Sequence, residues 1–191
     1  MIQVQHTMVL TLTDYSMVVF NASSSTDDVG IDSYSWNFGD ESTDTGDVVS
    51  HIFENPGDHV VTMTATDAAG NSDTHEMTVS VNDVTNPSAE FNWSYTNETG
   101  GMVSNAAMEG EPTHFDAGGS SDNSNGALTY LWDFGDASNV STGQTVYHTF
   151  GNLTDEGFNV VLTVEDAAGN KDVISYNCLL YTSPSPRDLY Q

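Results

Sequence analysis

Two stretches of strict alternation set the pattern of this chain. Tyr34-Ser35-Trp36-Asn37-Phe38-Gly39-Asp40 and Tyr130-Leu131-Trp132-Asp133-Phe134-Gly135-Asp136 both read Tyr-x-Trp-[Asn/Asp]-Phe-Gly-Asp. A period of two puts the three aromatics on one face of a strand, and Gly-Asp then ends it in a turn. A strand that buries three aromatics on one side predicts the centre of a core. Shorter alternating runs surround each copy. They are Val18 and Phe20, Val48 to Phe53, Val61/Met63/Ala65 and Met77/Val79/Val81 in the first half. The second half answers with Phe115, Phe150 and Phe158/Val160/Leu162/Val164. No segment carries a helical period, and heavy use of Thr, Val and Ser agrees with strands. Residues 39–47 and the Gly-rich stretch 94–111 read as loops.

The order of these runs is itself repeated. Phe20-Asn21-Ala22 answers to Phe115-Asp116-Ala117, His51-Ile52-Phe53 to His148-Thr149-Phe150, and Asp67-Ala68-Ala69-Gly70-Asn71 to Asp166-Ala167-Ala168-Gly169-Asn170. One module of about 90 residues has been used twice. This motif order resembles the polycystic-kidney-disease (PKD) repeat family. The resemblance covers about residues 14–84 and 86–177. It implies an all-β chain of two tandem seven-stranded immunoglobulin-like β-sandwiches, the second with a truncated last strand, usually extracellular. The expected domains are 1–84 and 89–177, joined by a linker at 85–88 that contains Pro87. The loosely alternating residues 1–13 (Ile2, Val4, Met8, Leu10, Leu12) read as a first strand or its remnant. One departure stands out. His59 and Phe158 hold the place where the family usually has Tyr, so no tyrosine corner is expected.

Composition narrows the function. Asp plus Glu number 28 against 2 Lys plus Arg, a net charge of -26 over 191 residues. Such a surface repels nucleic acid and anionic membranes and suits multivalent cations or a salty medium. No run of roughly 18 apolar residues is present, so no membrane insertion is expected in this segment. The tail reads differently from the modules. Residues 178–191 hold the single Cys, the single Arg and Pro184/Pro186, and Cys178 to Asp188 resemble a translated sequencing-library adapter. On that reading the chain is a piece of a longer protein whose last strand continues by chance through the apolar residues Cys178 and Leu180.

The acidic turns are the candidate chemistry. Hard cations take oxygen ligands from carboxylates, Asn side chains and carbonyls. In the second module Asn86, Asp122, Asn123 and Asp166 belong to three segments that a seven-stranded sandwich brings to one end, and Asp83 lies in the linker beside them. Calcium-binding members of the family place ligands at similar points, so the resemblance implies a Ca²⁺ site. Asp27, Asp28 and Asp67 match in the first module. The competing reading is that these side chains cap turns by accepting backbone N–H groups. Asp40, Asp136, His51 and His148 read as structural. No zinc spacing, nucleophile elbow or phosphate loop occurs, so no enzyme activity is expected. Sequons at Asn21, Asn92, Asn97, Asn139 and Asn152 are no more than this Asn-, Ser- and Thr-rich composition produces. The functional expectation is a non-catalytic extracellular or cell-surface module for spacing or adhesion, stiffened by Ca²⁺. Its partners would be other domains of a longer parent protein, surface proteins or polysaccharide. A pair of accessory substrate-binding domains of a secreted hydrolase, with Trp93 and Tyr95 as candidate stacking aromatics, and a homophilic surface contact are the alternatives.

Overall fold

The computed structural model describes residues 10–97, 100–151 and 157–181. The expected strand at Ile2 and Val4, the sequon at Asn152 and the tail beyond Tyr181 lie outside the described residues. The described residues form strands and turns without helix, in two compact units, Met1–Thr85 and Asn86–Gln191.

The first unit has seven strands. They are β1 (Leu10–Thr13), β2 (Met17–Asn21), β3 (Ile31–Asn37), β4 (Thr43–Thr45), β5 (Val48–Ile52), β6 (Gly57–Asp67) and β7 (Ser72–Asn82). One sheet has the order β1-β7-β6-β3-β4, and β2 pairs with β5 in the other. The short β4 falls inside the stretch expected to be loop. It pairs with β3 at Ser35↔Thr45, where its backbone completes the edge of the aromatic strand. The β1–β7 pairing is parallel; all the others are antiparallel. The inward positions of the two sheets supply the core: Val18 and Phe20 from β2, Trp36 from β3, Val49 from β5, Val61 and Met63 from β6, Val79 and Val81 from β7.

The second unit repeats this plan with additions. Its strands are β8 (Asn92–Thr96), β9 (Met102–Ser104), β10 (Ala107–Met108), β11 (Pro112–Asp116), β12 (Thr129–Asp133), β13 (Ser141–Thr142), β14 (Thr145–Thr149), β15 (Phe158–Glu165), β16 (Lys171–Cys178) and β17 (Leu180–Tyr181). The sheets run β13-β12-β15-β16 and β14-β11-β8-β9, with β10 and β17 paired in parallel. The stretch 94–111 is therefore not a loop. Its ends form a β8–β9 hairpin, and Ala107 is buried in the core. Small polar and Gly residues concealed that hairpin because only Val103 and Met102 mark the alternation.

Trp132, Phe134, Phe115 and Phe150 are fully buried together. Trp132 Nε1 donates to Gly143 O at 2.8 Å, as Trp36 Nε1 does to Gly46 O at 2.9 Å, so each indole buries its ring without orphaning its N–H. Trp93 packs at the core margin against Phe91 (5.9 Å) and Tyr176 (5.7 Å). Cys178 ends β16 opposite Phe158, the place Val79 takes opposite His59. It is buried, and burial pushes its thiol up to about 11. Leu180 follows in β17 and packs on the same core.

Candidate functional site

Three kinds of acidic site repeat or recur in the two units. The first joins Asp40 to His51 and Asp136 to His148. His51 Nε2 donates to Asp40 Oδ2 at 2.6 Å, and His148 Nε2 to Asp136 Oδ2 at 2.7 Å. Each imidazole lies flat on the Phe of the Phe-Gly-Asp turn, at 4.0 Å from Phe38 and 3.9 Å from Phe134. Asp40 also accepts from the Ser42 N–H (3.1 Å) and hydroxyl, and Asp136 from Ser138 N–H (3.0 Å). Burial opposes the charged form of both carboxyls. Bonds from Ser42 and His51, and from Ser138 and His148, outweigh it and hold both below the ordinary 3.8. Ser, His and Asp meet here without forming a nucleophile. His51 Nε2 is already donating to Asp40, and the Ser42 hydroxyl donates to the same carboxylate, so the ring cannot take its proton. The sequence marked these residues singly as structural. Their recurrence at nearly the same separation in both copies was the signal that they pair.

The second kind is the Asp-Ala-Ala-Gly-Asn turn. Asp67 Oδ1 accepts from Ala69 N (2.9 Å) and Asn71 N (2.8 Å), and its Oδ2 from Asn71 Nδ2 (2.7 Å). Asp166 repeats this with Gly169 N (2.7 Å), Asn170 N (2.9 Å) and Asn170 Nδ2 (2.8 Å). In Asp67 the Asn71 bonds lead in lowering the carboxyl; in Asp166 burial works against them and loses. Asp27 caps its own turn through Val29 N (2.9 Å) and Gly30 N (3.0 Å), and the Gly30 bond leads in lowering its carboxyl. The charge of Asp27 is felt at Asp67. Asp28, beside it, is exposed.

The third kind occurs in the second unit. Carboxylate oxygens of Asp122 and Asp166 lie within 4.8 Å of each other. Asp166 is only 5% exposed. Asp122 Oδ2 accepts from Ser124 N (2.9 Å) and the Ser124 hydroxyl, whereas its Oδ1 is buried with no hydrogen-bond partner. Two carboxylates this close repel, and a buried carboxylate oxygen without a donor is costly. A divalent cation removes both penalties, so these residues fit one. Paired bonds between Ser88 and Ser121 (2.7 and 3.1 Å) lay the segment after Asn86 against the one before Asp122. Asn86 is exposed and Asn123 is half-buried. Asp83, past the end of β7 in the first unit, accepts from Thr85 N at 3.1 Å.

The position once reserved for a Tyr is filled in two ways. His59 Nε2 donates to Asn55 O at 3.0 Å and its ring packs on Phe53 at 4.7 Å, so a hydrogen-bonded corner survives with His in place of Tyr. Phe158 makes no such bond and stacks on Phe150 at 4.7 Å.

Two units of paired sheets, with aromatic cores and repeated turns, define a tandem immunoglobulin-like β-sandwich protein. The PKD domain family matches residues 4–81 and 101–177, and the chain belongs to that family. Among curated relatives, the Pre-pro-metalloprotease PrtV of Vibrio cholerae serotype O1, in two strains, is 39% identical over 64 residues. That match takes in 34% of this chain and 7% of the protease, so the chain spans a small part of its relative. Among solved structures, Dpr11 IG1 bound to DIP-gamma IG+IG2 superposes with a TM-score of 0.54 at 10% identity. It covers 94% of this chain and 98% of that one, and it shows the shared fold.

Proposed function

We propose that the chain is a non-catalytic spacer or adhesion segment of a longer extracellular or cell-surface protein, with a Ca²⁺ site in its second unit. The Asp122–Asp166 pair, with its orphaned buried oxygen, carries this reading. The sequence adds Asn86, Asn123 and, from the connecting segment, Asp83 as oxygen donors. In the first unit Asp27, Asp28 and Asp67 are the corresponding candidates, but Asp27 and Asp67 already accept turn N–H groups, which favours the cap over the ion there. Bound calcium would neutralise clustered carboxylates and tie the turn before β12 to the turn after β15. Compact β modules extend reach without chemistry of their own. The partners are then other domains of the parent protein and surface proteins or polysaccharide.

Thermal unfolding of the whole chain in Ca²⁺ and in chelator, at matched ionic strength, tests the site. A ligand that binds only the folded state raises the melting point with its concentration, by about 2.7 kcal/mol of stability at a hundredfold excess over Kd. The expected result is a saturable rise that EDTA reverses and that Asp122→Ala removes. A response to NaCl alone, equal in wild type and Asp122→Ala, would leave the acid as a salt-adapted surface.

The match to part of a metalloprotease precursor favours a second reading, an accessory domain pair of a hydrolase. It predicts that the chain binds the substrate of a neighbouring catalytic domain, read out by pull-down on insoluble chitin, cellulose or collagen.

A further inference from the structure

The duplication gives the second unit an internal control. Its strands β12, β13, β15 and β16 bound a groove to which Leu128, Tyr130, Leu131, Gln144, Glu165 and Lys171 contribute. Strand register identifies the equivalent residues of the first unit. Leu131 pairs with Thr142 and Thr163, as Ser35 does with Thr45 and Thr64. Thr129 pairs with Glu165, which pairs with Lys171; Ser33 pairs with Thr66, which pairs with Ser72. The scaffold is the same and the lining is not. Where the first unit has Asp32, Ser35 and Asp47, the second has Leu128, Leu131 and Gln144. Thr66 and Ser72 are replaced by Glu165 and Lys171, which close an ion pair at 3.1 Å.

These exchanges act in one direction. In a chain of net charge -26, two carboxylates are gone from this spot. The carboxylate that is gained is neutralised by the only Lys or Arg among the described residues. An apolar floor has appeared, with Leu131 43% exposed and Tyr130 half-buried. Around it stand an amide, hydroxyls and one ion pair. Gln144 Nε2 sits 3.5 Å from the Tyr130 hydroxyl, at the limit of a hydrogen bond, so both retain capacity for another partner.

We propose that this groove binds a neutral polysaccharide chain. Sugars present an apolar C–H face and a fringe of hydroxyls that both donate and accept, which suits Tyr130 and Leu131 below and Gln144, Thr129, Thr142 and Glu165 around. The backbone groups of β12 and β15 are taken up in the sheet, so recognition must come from side chains. An extended peptide instead adds to a free sheet edge through main-chain bonds. An acidic glycan is repelled by the surrounding charge. The first unit, with Asp32 and Asp47 at the equivalent points, lacks the site. The proposal is independent of the Ca²⁺ reading.

Affinity electrophoresis of the whole chain tests it, in native gels containing hydroxyethylcellulose, laminarin or glucomannan, with alginate and gelatin in parallel gels. The variant combines Leu131→Ser and Gln144→Asp, residues that the first unit carries at the same positions of the same strands; an unchanged melting point confirms that it folds. Retardation by at least one neutral polysaccharide and not by alginate is expected, weakened about tenfold in the variant by loss of apolar cover and of an amide donor. No retardation by any of the three, equal retardation of the variant, or retardation by gelatin alone would each overturn the proposal.

Discussion

At the residue scale, the His–Asp pairs show how an acidic protein keeps partly buried carboxylates. Each Asp gains bonds from a Ser and from an imidazole stacked on a core Phe. The linkage to pH has a definite sign. Asp40 and Asp136 sit below their ordinary 3.8 in the folded chain, so their stabilisation is complete above that value. It is lost as pH falls through the folded values, where the native state must take up protons it resists. Urea unfolding between pH 7 and pH 2 should therefore show a steep decline below about pH 4. The double variant Asp40→Asn/Asp136→Asn should be less stable at pH 7, by about 1–3 kcal/mol per site, with a shallower acid decline. An unchanged acid slope would place that loss elsewhere among the carboxylates. The sequence did not show these pairs as pairs, because nothing in local spacing says that β5 and β14 carry their His toward the turns that follow β3 and β12.

At the scale of elements, the Phe-Gly-Asp turn locks each aromatic strand to its neighbour. Gly39 has a φ of +79° and Gly135 of +71°. A Cβ at Gly39 would meet Val60 O at 2.7 Å, and one at Gly135 would meet Asn159 O at 2.6 Å. The backbones touch at these points, so a side chain must push β6 or β15 away while also adopting a disfavoured conformation. Gly39→Ala and Gly135→Ala should each cost about 2–4 kcal/mol in denaturant unfolding, well beyond the usual loss for an exposed glycine. A cost below 1 kcal/mol, about that of an ordinary Gly exchange, would mean that the turn swings free of its neighbour. The same turn presents Asp40 and Asp136 to their histidines, so strain here should also weaken those bonds. Strand identity was readable wherever large apolar residues alternate. It was not readable in β4 or β9, where short polar strands are held by a neighbour's backbone rather than by burial of their own side chains.

For the whole molecule, charge dominates. A surplus of 26 negative charges repels itself, and a compact fold brings those charges closer than an open chain does. Monovalent salt should therefore raise the melting point of the whole chain, most steeply below about 0.15 M, where the screening length falls toward 8 Å. A melting point flat from 10 mM to 1 M NaCl would show that the acids are too well dispersed or too well bonded to matter. The sequence by itself determined the all-β class, the duplication, the family, the core aromatics and the acidic turns, because alternation, motif order and composition are properties of the chain alone. Only the tertiary structure decided which polar residues meet. It set His51 on Asp40, gave Asp67 and Asp166 to their own turns, brought Asp122 to Asp166 with an oxygen left over, and opened a groove over Tyr130. The reason is physical. Hydrophobic burial is read from a residue's own character and period, whereas a hydrogen bond or a ligand site depends on what the fold carries to within about 3 Å of it.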